Sequence, residues 1–261
     1  MRQFLLRLLL LLFAVLVIFG VYRLLTIRPL ENVAFFRDQP LLMAVDSRSA
    51  GSSLADFAAA GAAGANGLYL PVTLTRDGIL VATDSPVGQL TLAELRLVDA
   101  FSSVVTLQEA LAAYPDLRAV VVVQEPGLQA LAALLQAIDA NDARSRVLAV
   151  VDQPLLANTL REQAPDLATA ATAAETSAFL TTQRFRLASF YRPAAPAMLL
   201  AGSQINRRLV SSARSRGIHL LALPDQPSVA ATQALIDAGV DGVVVTDPAL
   251  IGQLSWPGQA P

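Results

Sequence analysis

Six carboxylates, Asp46, Asp84, Glu125, Asp152, Asp225 and Asp247, each follow a short apolar run. Carboxylates at the ends of neighbouring strands can hold a hard divalent cation, which prefers oxygen ligands. The same residues at a helix start accept hydrogen bonds from unpaired backbone N–H groups. Asp152-Gln153-Pro154, Asp225-Gln226-Pro227 and Asp247-Pro248 have the Asp-then-Pro pattern of a helix start, so capping is the expectation for those three. Asp46, Asp84 and Glu125 follow strands expected to be neighbours and are the candidates for a metal site. Arg48, between Ser47 and Ser49 ahead of a helix, is the best candidate for a phosphate or carboxylate ligand, through its guanidinium and the helix-start N–H groups. The competing reading is a solvated loop arginine with serines capping the helix.

The rest of the inventory narrows the chemistry. There is no cysteine, which excludes disulfides and thiolate metal sites. All 19 basic residues are arginine, and His219 is the single histidine. A site that needs two histidines or a lysine therefore has no residues to build it. His219 opens an apolar run, whereas barrel chemistry sits at the C-terminal ends of strands, so a structural or exposed role is expected for it. The net charge is −2 and there is no basic run, so nucleic acid is not an expected partner. No cofactor is expected, with Ca²⁺ or Mg²⁺ needed only if the three candidate carboxylates hold a metal.

The elements that must position these residues repeat one phrase. In Gly239–Pro248 a helix-ending Gly is followed by a turn, an apolar strand and an Asp-Pro exit. Fully apolar runs of four to six residues read as strands buried on both faces, as in parallel sheets. The phrase recurs at Leu41–Val45, Gly67–Val72, Ala119–Val123, Val147–Val151, Ala168–Ala171, Phe185–Phe190 and Ile218–Leu223. Asp77-Gly78 suits a tight hairpin turn into Ile79–Ala82. Eight strands alternating with helices imply an α/β fold, a (β/α)₈ TIM barrel. A doubly wound open sheet is the alternative, but no glycine-rich dinucleotide fingerprint follows the first strand.

Phe4–Leu25 is apolar apart from Arg7 and Arg23. About twenty such residues cross a hydrocarbon core of about 30 Å, with the arginines snorkelling at the ends. No convincing small-x-small cleavage site follows, so residues 1–27 read as a single transmembrane helix, an uncleaved signal anchor. Residues 28–40 are then a linker, 41–254 the barrel and 255–261 a tail. Arginines are balanced across the span, and the expected location is the cell membrane, single-pass, with the barrel extracytoplasmic.

Three phrases together resemble the glycerophosphodiester phosphodiesterase family. They are Leu74–Val81, then Leu90–Arg96 with Asp99-Ala100 and Val105–Leu111, and finally Gly239–Pro248. The resemblance covers residues 41–254 and implies the same barrel fold. It also implies divalent-cation-assisted phosphodiester hydrolysis, with two histidines for proton transfer and carboxylates for the metal. This sequence departs from that pattern. The family's His-Arg-Gly falls on Val45-Asp46-Ser47, or Asp46-Ser47-Arg48 with a one-residue shift, and its Glu-Asn falls on Gly51-Ser52. Its second-strand Glu and Asp fall on Tyr69 and Pro71, and its His-Asp on Thr83-Asp84. Its third-strand Glu and Lys fall near Val122 and Gln124, with Glu125 one place along, and its late Trp near Leu223. The expectation is a degenerate member, a non-catalytic binding or scaffold domain with a phosphate-containing small molecule as its ligand. The alternative is an active phosphodiesterase of lipid metabolism with a rearranged acidic metal site.

Overall fold

The computed structural model describes residues 34–37, 41–46 and 53–256. The expected membrane span and the anion candidates Ser47, Arg48 and Ser49 lie outside the described residues. Among the described residues, no helix is long and apolar enough to cross a membrane.

The body alternates strands and helices. In order they are β1 (Leu42–Asp46), α1 (Leu54–Ala62), β2 (Gly67–Leu74), β3 (Leu80–Ala82), α2 (Leu92–Leu95), α3 (Leu107–Ala113), β4 (Arg118–Val123), α4 (Leu128–Asp139) and β5 (Val147–Val151). There follow α5 (Pro154–Gln163), β6 (Ala168–Thr169), α6 (Ala173–Arg184), β7 (Ala197–Ala201), α7 (Arg207–Arg214), β8 (His219–Leu223), α8 (Val229–Ala238) and β9 (Gly242–Val245). All strands but β3 pair in parallel, in the order β6-β5-β4-β2-β1-β9-β8-β7. The ends of that order meet through a single parallel bridge, Ala170 to Ala197, with Ala171 N–H donating to the Ala197 carbonyl at 2.7 Å. This is a nearly closed eight-stranded (β/α)₈ barrel.

Strand periodicity divides the core in two. Leu42, Ala44, Tyr69, Val120, Leu148, Ala168, Ala170, Ala197, Leu221 and Val244 fill the barrel interior. Their sequence neighbours, such as Met43, Val121, Ala149 and Leu220, face outward into the helix layer. Both faces are apolar, which is why the strands read as continuous hydrophobic runs.

The family-like phrases at Leu74–Val81 and Leu90–Arg96 form one structural unit. β3 folds back antiparallel on β2, and Gly78 takes the left-handed φ of +80° that the turn requires. The hairpin tip then binds α2. Asp77 accepts from Leu92 N–H at 3.1 Å, Arg76 N–H donates to the Leu90 carbonyl at 2.8 Å, and the Arg76 guanidinium donates to both Glu94 oxygens. Glu94 also closes a capping box with Thr91. Arg76, Asp77, Gly78, Thr91 and Glu94 thus satisfy the ends of the hairpin and of the helix, a requirement of folding.

At the opposite end of the barrel a short turn, Ala34–Phe36, closes the base. Phe35 is almost wholly buried among the interior residues, with the Arg118 guanidinium 5.6 Å from its ring centroid. Burial pushes the Arg118 pKa down to about 10. Phe36 stacks on His219, with ring centroids 3.9 Å apart, and His219 Nδ1 lies 3.2 Å from Asp241 Oδ1. His219 thus belongs to the base, as its position at a strand start implied.

One strand sits elsewhere than the sequence suggested. Phe185–Phe190 is not a strand: Arg186 has φ +61°, Ala188–Phe190 is a 3₁₀ turn, and Phe185, Leu187 and Phe190 are exposed. The sixth barrel strand is β7, Ala197–Ala201, whose Ala-Met-Leu-Leu-Ala carries no β-branched residue. Its pairing with β8, rather than intrinsic propensity, makes it a strand.

Candidate functional site at the barrel mouth

In a parallel barrel the strand ends at the C-terminal face carry the chemistry. Here the interior side chains nearest that face are Val122 on β4, Val150 on β5, Leu199 on β7 and Leu223 on β8. All four are partly exposed and rest on the buried interior below them. Pro71 of β2 is buried beside Val122, its registered partner on β4. Asp46, at the end of β1, is the buried carboxylate of this face, only 2% exposed and in register with Tyr69. Both Asp46 and Tyr69 have partners within the protein. Among the described residues, the mouth is therefore a mostly apolar wall with one buried acid, Asp46.

The three candidate metal ligands come from neighbouring strands, as expected: β1 pairs with β2, and β2 with both β3 and β4. Asp84 and Glu125 are exposed, whereas Asp46 is buried. Glu125 leans toward the loop after β3, where a Cβ placed on Gly88 would lie 3.8 Å from its Oε2. Among the described residues, no three His, Asp or Glu side chains are grouped so that they could hold a metal ion. The structure does not bring Asp46, Asp84 and Glu125 together as a ligand set.

The remaining rim carboxylates are used as caps, with a twist that the sequence did not show. Asp152 stands one residue too early to cap α5, whose N-cap is Gln153 with Pro154 at the first turn. Its carboxylate instead accepts from Ala173 N–H at 2.7 Å, at the start of α6, one barrel unit further on. Asp225 likewise leaves α8 to be capped by Ser228. It reaches the preceding unit and accepts from the N–H and hydroxyl of Ser203 after β7. Asp247 alone caps its own segment, accepting from Ala249 N–H at 2.9 Å, and that segment is a 3₁₀ helix, Pro248–Gln253. These side chains tie neighbouring units together at the rim.

Between the ends of β8 and β9 lies a cleft of about 170 Å³, lined by Pro224, Asp225, Thr232, Val244, Thr246 and Leu250 among others. The Thr232 hydroxyl is buried there and makes no hydrogen bond. A larger cavity of about 430 Å³ lies outside the barrel, between the β2–β3 hairpin and helices α3 and α4. Neither holds a constellation of proton-transfer groups.

The same architecture is found in solved structures. A Silicibacter pomeroyi protein described as a glycerophosphoryl diester phosphodiesterase superimposes with a TM-score of 0.69 at 19% identity, covering 87% of this chain and all of that one. The glycerophosphoryl diester phosphodiesterase domain of a Mycobacterium tuberculosis protein matches with a TM-score of 0.67 at 17% identity, covering 83% and 99% of the two chains. The chain has the fold of the glycerophosphodiester phosphodiesterases. A third structure with this fold, an Oleispira antarctica phosphodiesterase in complex with its product sn-glycerol-3-phosphate, matches with a TM-score of 0.63 at 19% identity, covering 82% and 96%. No protein-family model and no curated protein sequence matches the chain.

Tyr69, Val122 and Leu223 all belong to the interior cluster. Val150 and Leu199 complete the mouth and were not singled out from the sequence. The signal was present: each lies two residues beyond a buried interior residue on the same strand, Leu148 and Ala197.

Proposed function

We propose that this chain is a membrane-anchored, non-catalytic binding domain, a degenerate member of the glycerophosphodiester phosphodiesterase family. The observation that carries the reading is the wall formed by Val122, Val150, Leu199 and Leu223 at the strand ends. Hydrolysis of a phosphodiester needs groups that move protons within hydrogen-bond reach and charges that stabilise the phosphoryl oxygens. An aliphatic wall supplies neither. It does suit a small molecule with an apolar body, since ligand sites are mostly apolar with a few placed polar groups. A phosphate on such a ligand would be met by Arg48 with Ser47 and Ser49, which follow β1 in sequence. Phe4–Leu25 would anchor the chain in the cell membrane as a single span, with the barrel on the extracytoplasmic side.

The test is turnover by the purified full chain on bis-p-nitrophenyl phosphate and glycerophosphocholine, with Ca²⁺ or Mg²⁺ present. The expected result is no hydrolysis above the protein-free rate. Metal-dependent turnover that disappears in Asp84→Ala would instead establish an active phosphodiesterase using Asp46, Asp84 and Glu125.

A further inference from the structure

The N-terminal face of the barrel carries one unusual surface. The connection from α6 to β7, residues 185–196, is the longest helix-to-strand connection among the described elements of the barrel. Phe185, Leu187 and Phe190 are 67%, 48% and 44% exposed on it, with Arg184, Arg186 and Arg192 exposed between and beside them. The connection is well fastened. The Tyr191 hydroxyl donates to the Glu175 carbonyl at 3.0 Å, its ring packs against Phe179, Leu187 N–H donates to the Thr182 carbonyl at 2.7 Å, and Pro193 is buried. The apolar side chains are thus held outward by a built segment.

The charge around this surface is one-sided. From Thr176 to Pro224 the sequence contains seven arginines and no Asp or Glu. Arg214 ends α7, and its guanidinium donates to the Gly239 carbonyl on the same face. Glu175, whose charge reaches Tyr191 of the connection, is paired with Arg161, and Asp241 on this face is engaged by His219 and by Leu220 N–H. Acidic residues of this face cluster elsewhere, where Asp139 and Asp166 pair with Arg144 between α4 and β6.

The position of the surface relative to the N-terminus gives it an occupant. Phe36, within the segment read as the linker, stacks on His219, and His219 N–H donates to the Pro196 carbonyl at the end of the same connection. The eight residues between Leu25 and Ala34 can span at most about 30 Å. This face is therefore kept close to whatever surface the apolar Phe4–Leu25 segment occupies.

We propose that the Arg184–Arg192 segment docks on the anionic lipid surface into which Phe4–Leu25 inserts, seating the barrel base-down with its mouth toward water. The proposal rests on the anchored reading above. Aromatic and aliphatic side chains would enter the headgroup boundary while the arginines meet lipid phosphates, the usual arrangement of an interfacial anchor.

The full chain has no cysteine, so single labelling sites can be introduced cleanly. Leu187→Cys and Phe190→Cys place a nitroxide on the docking segment, and Leu155→Cys places one at the exposed start of α5 on the opposite face. Each labelled chain is reconstituted into phosphatidylcholine vesicles with and without phosphatidylglycerol, and its collisions with oxygen and a water-soluble nickel complex are compared. With phosphatidylglycerol, the oxygen-to-nickel ratio at 187 and 190 should be several times that at 155. Replacing Arg184, Arg186 and Arg192 by Gln should weaken docking by about fivefold per residue. High salt should act in the same direction. Equal ratios at all three sites on chains that float with the vesicles would overturn docking, including the case in which a protein covers the face, and would leave anchoring intact. Chains that do not float with the vesicles would overturn the anchored reading and docking with it.

Discussion

The Arg161 guanidinium grips the Glu175 carboxylate through two hydrogen bonds, of 2.7 and 3.0 Å. Arg161 also donates to the Thr169 hydroxyl at 3.1 Å and the Ala170 carbonyl at 3.2 Å, while Glu175 closes a capping box with Thr172. One side chain thus joins α5, the two-residue strand β6 and the start of α6. That is where the barrel ring is thinnest, since β6 meets β7 through a single bridge.

Arg161→Ala should destabilise the fold by about 2–4 kcal/mol, because it leaves a mostly buried carboxylate without its cation. Urea unfolding measures this, and Arg161→Lys should recover only part of the loss because it cannot fork onto both oxygens. The pair also gives the stability a pH dependence. Burial works to raise the Glu175 pKa, but hydrogen bonds from Arg161 and from Thr172 N–H outweigh it and hold the pKa below the ordinary 4.5. A group depressed in the folded state stabilises fully above its unfolded pKa and loses that contribution as pH falls through the folded value. The wild type should therefore lose stability in acid below about pH 4.5 more steeply than Arg161→Ala.

A second prediction concerns the base of the barrel. Leu42 of β1 is in register with Gly242 of β9, and its side chain reaches Gly67 of β2. A Cβ on Gly67 would lie 2.5 Å from Leu42 Cδ1, the movable end of that side chain, and 3.2 Å from the Arg118 carbonyl oxygen. A Cβ on Gly242 would meet Leu42 Cβ at 2.9 Å, Leu221 Cγ at 3.2 Å and the Leu42 carbonyl oxygen at 3.3 Å, none of which can swing away. Gly242→Ala should thus cost about 1–3 kcal/mol through overpacking, and Gly67→Ala less. Truncating Leu42 to Ala would not rescue Gly242→Ala, because the Leu42 Cβ and carbonyl remain. The rescue test by thermal unfolding separates steric strain at the backbone from strain at the leucine tip.

Most of this barrel could be read from the sequence because each strand is buried on both faces and each helix start is marked. The apolar runs, the Asp77-Gly78 turn and the left-handed Gly239 at the end of α8 all appear where the residues imply. The failures have a common cause, which is that contacts between units outvote local pattern. Phe185–Phe190 has the aromatic content of a strand but pairs with no strand, whereas Ala197–Ala201 has none and is a strand because β8 lies beside it. Asp152 and Asp225 look like caps for their own helices and serve adjacent units instead. At the mouth, the single histidine and the absence of lysine could be counted directly, while the aliphatic side chains at the strand ends needed the alternation of all the strands to be seen together.

That wall makes a third prediction. A neutral apolar fluorophore such as N-phenyl-1-naphthylamine should bind the full chain with a bright emission, and Leu199→Asp or Val122→Asp should lower the signal strongly. The charge at a partly buried apolar position should cost about 1–3 kcal/mol of stability as well, so binding is compared under conditions where each variant is shown to be folded. Leu155→Asp, at an exposed site outside the wall, should leave binding unchanged. Equal binding by all three variants would place the apolar site elsewhere on the molecule.

The cleft between β8 and β9 gives the last prediction. Thr232 is buried on α8, and its hydroxyl faces no hydrogen-bond partner, although Thr232 N–H bonds normally to the Ser228 carbonyl at 3.0 Å. Leaving a hydroxyl unpaired in a buried site costs about 1–3 kcal/mol. Thr232→Val keeps the branched shape and removes that penalty, so it should raise stability by about 1 kcal/mol, read as a higher urea midpoint with an unchanged slope. If the hydroxyl instead contacts water or a ligand in the cleft, Thr232→Val would destabilise, and Thr232→Ser would differ from it by retaining the polar group. The sign of the change in the valine variant therefore distinguishes an idle hydroxyl from one that the cleft uses.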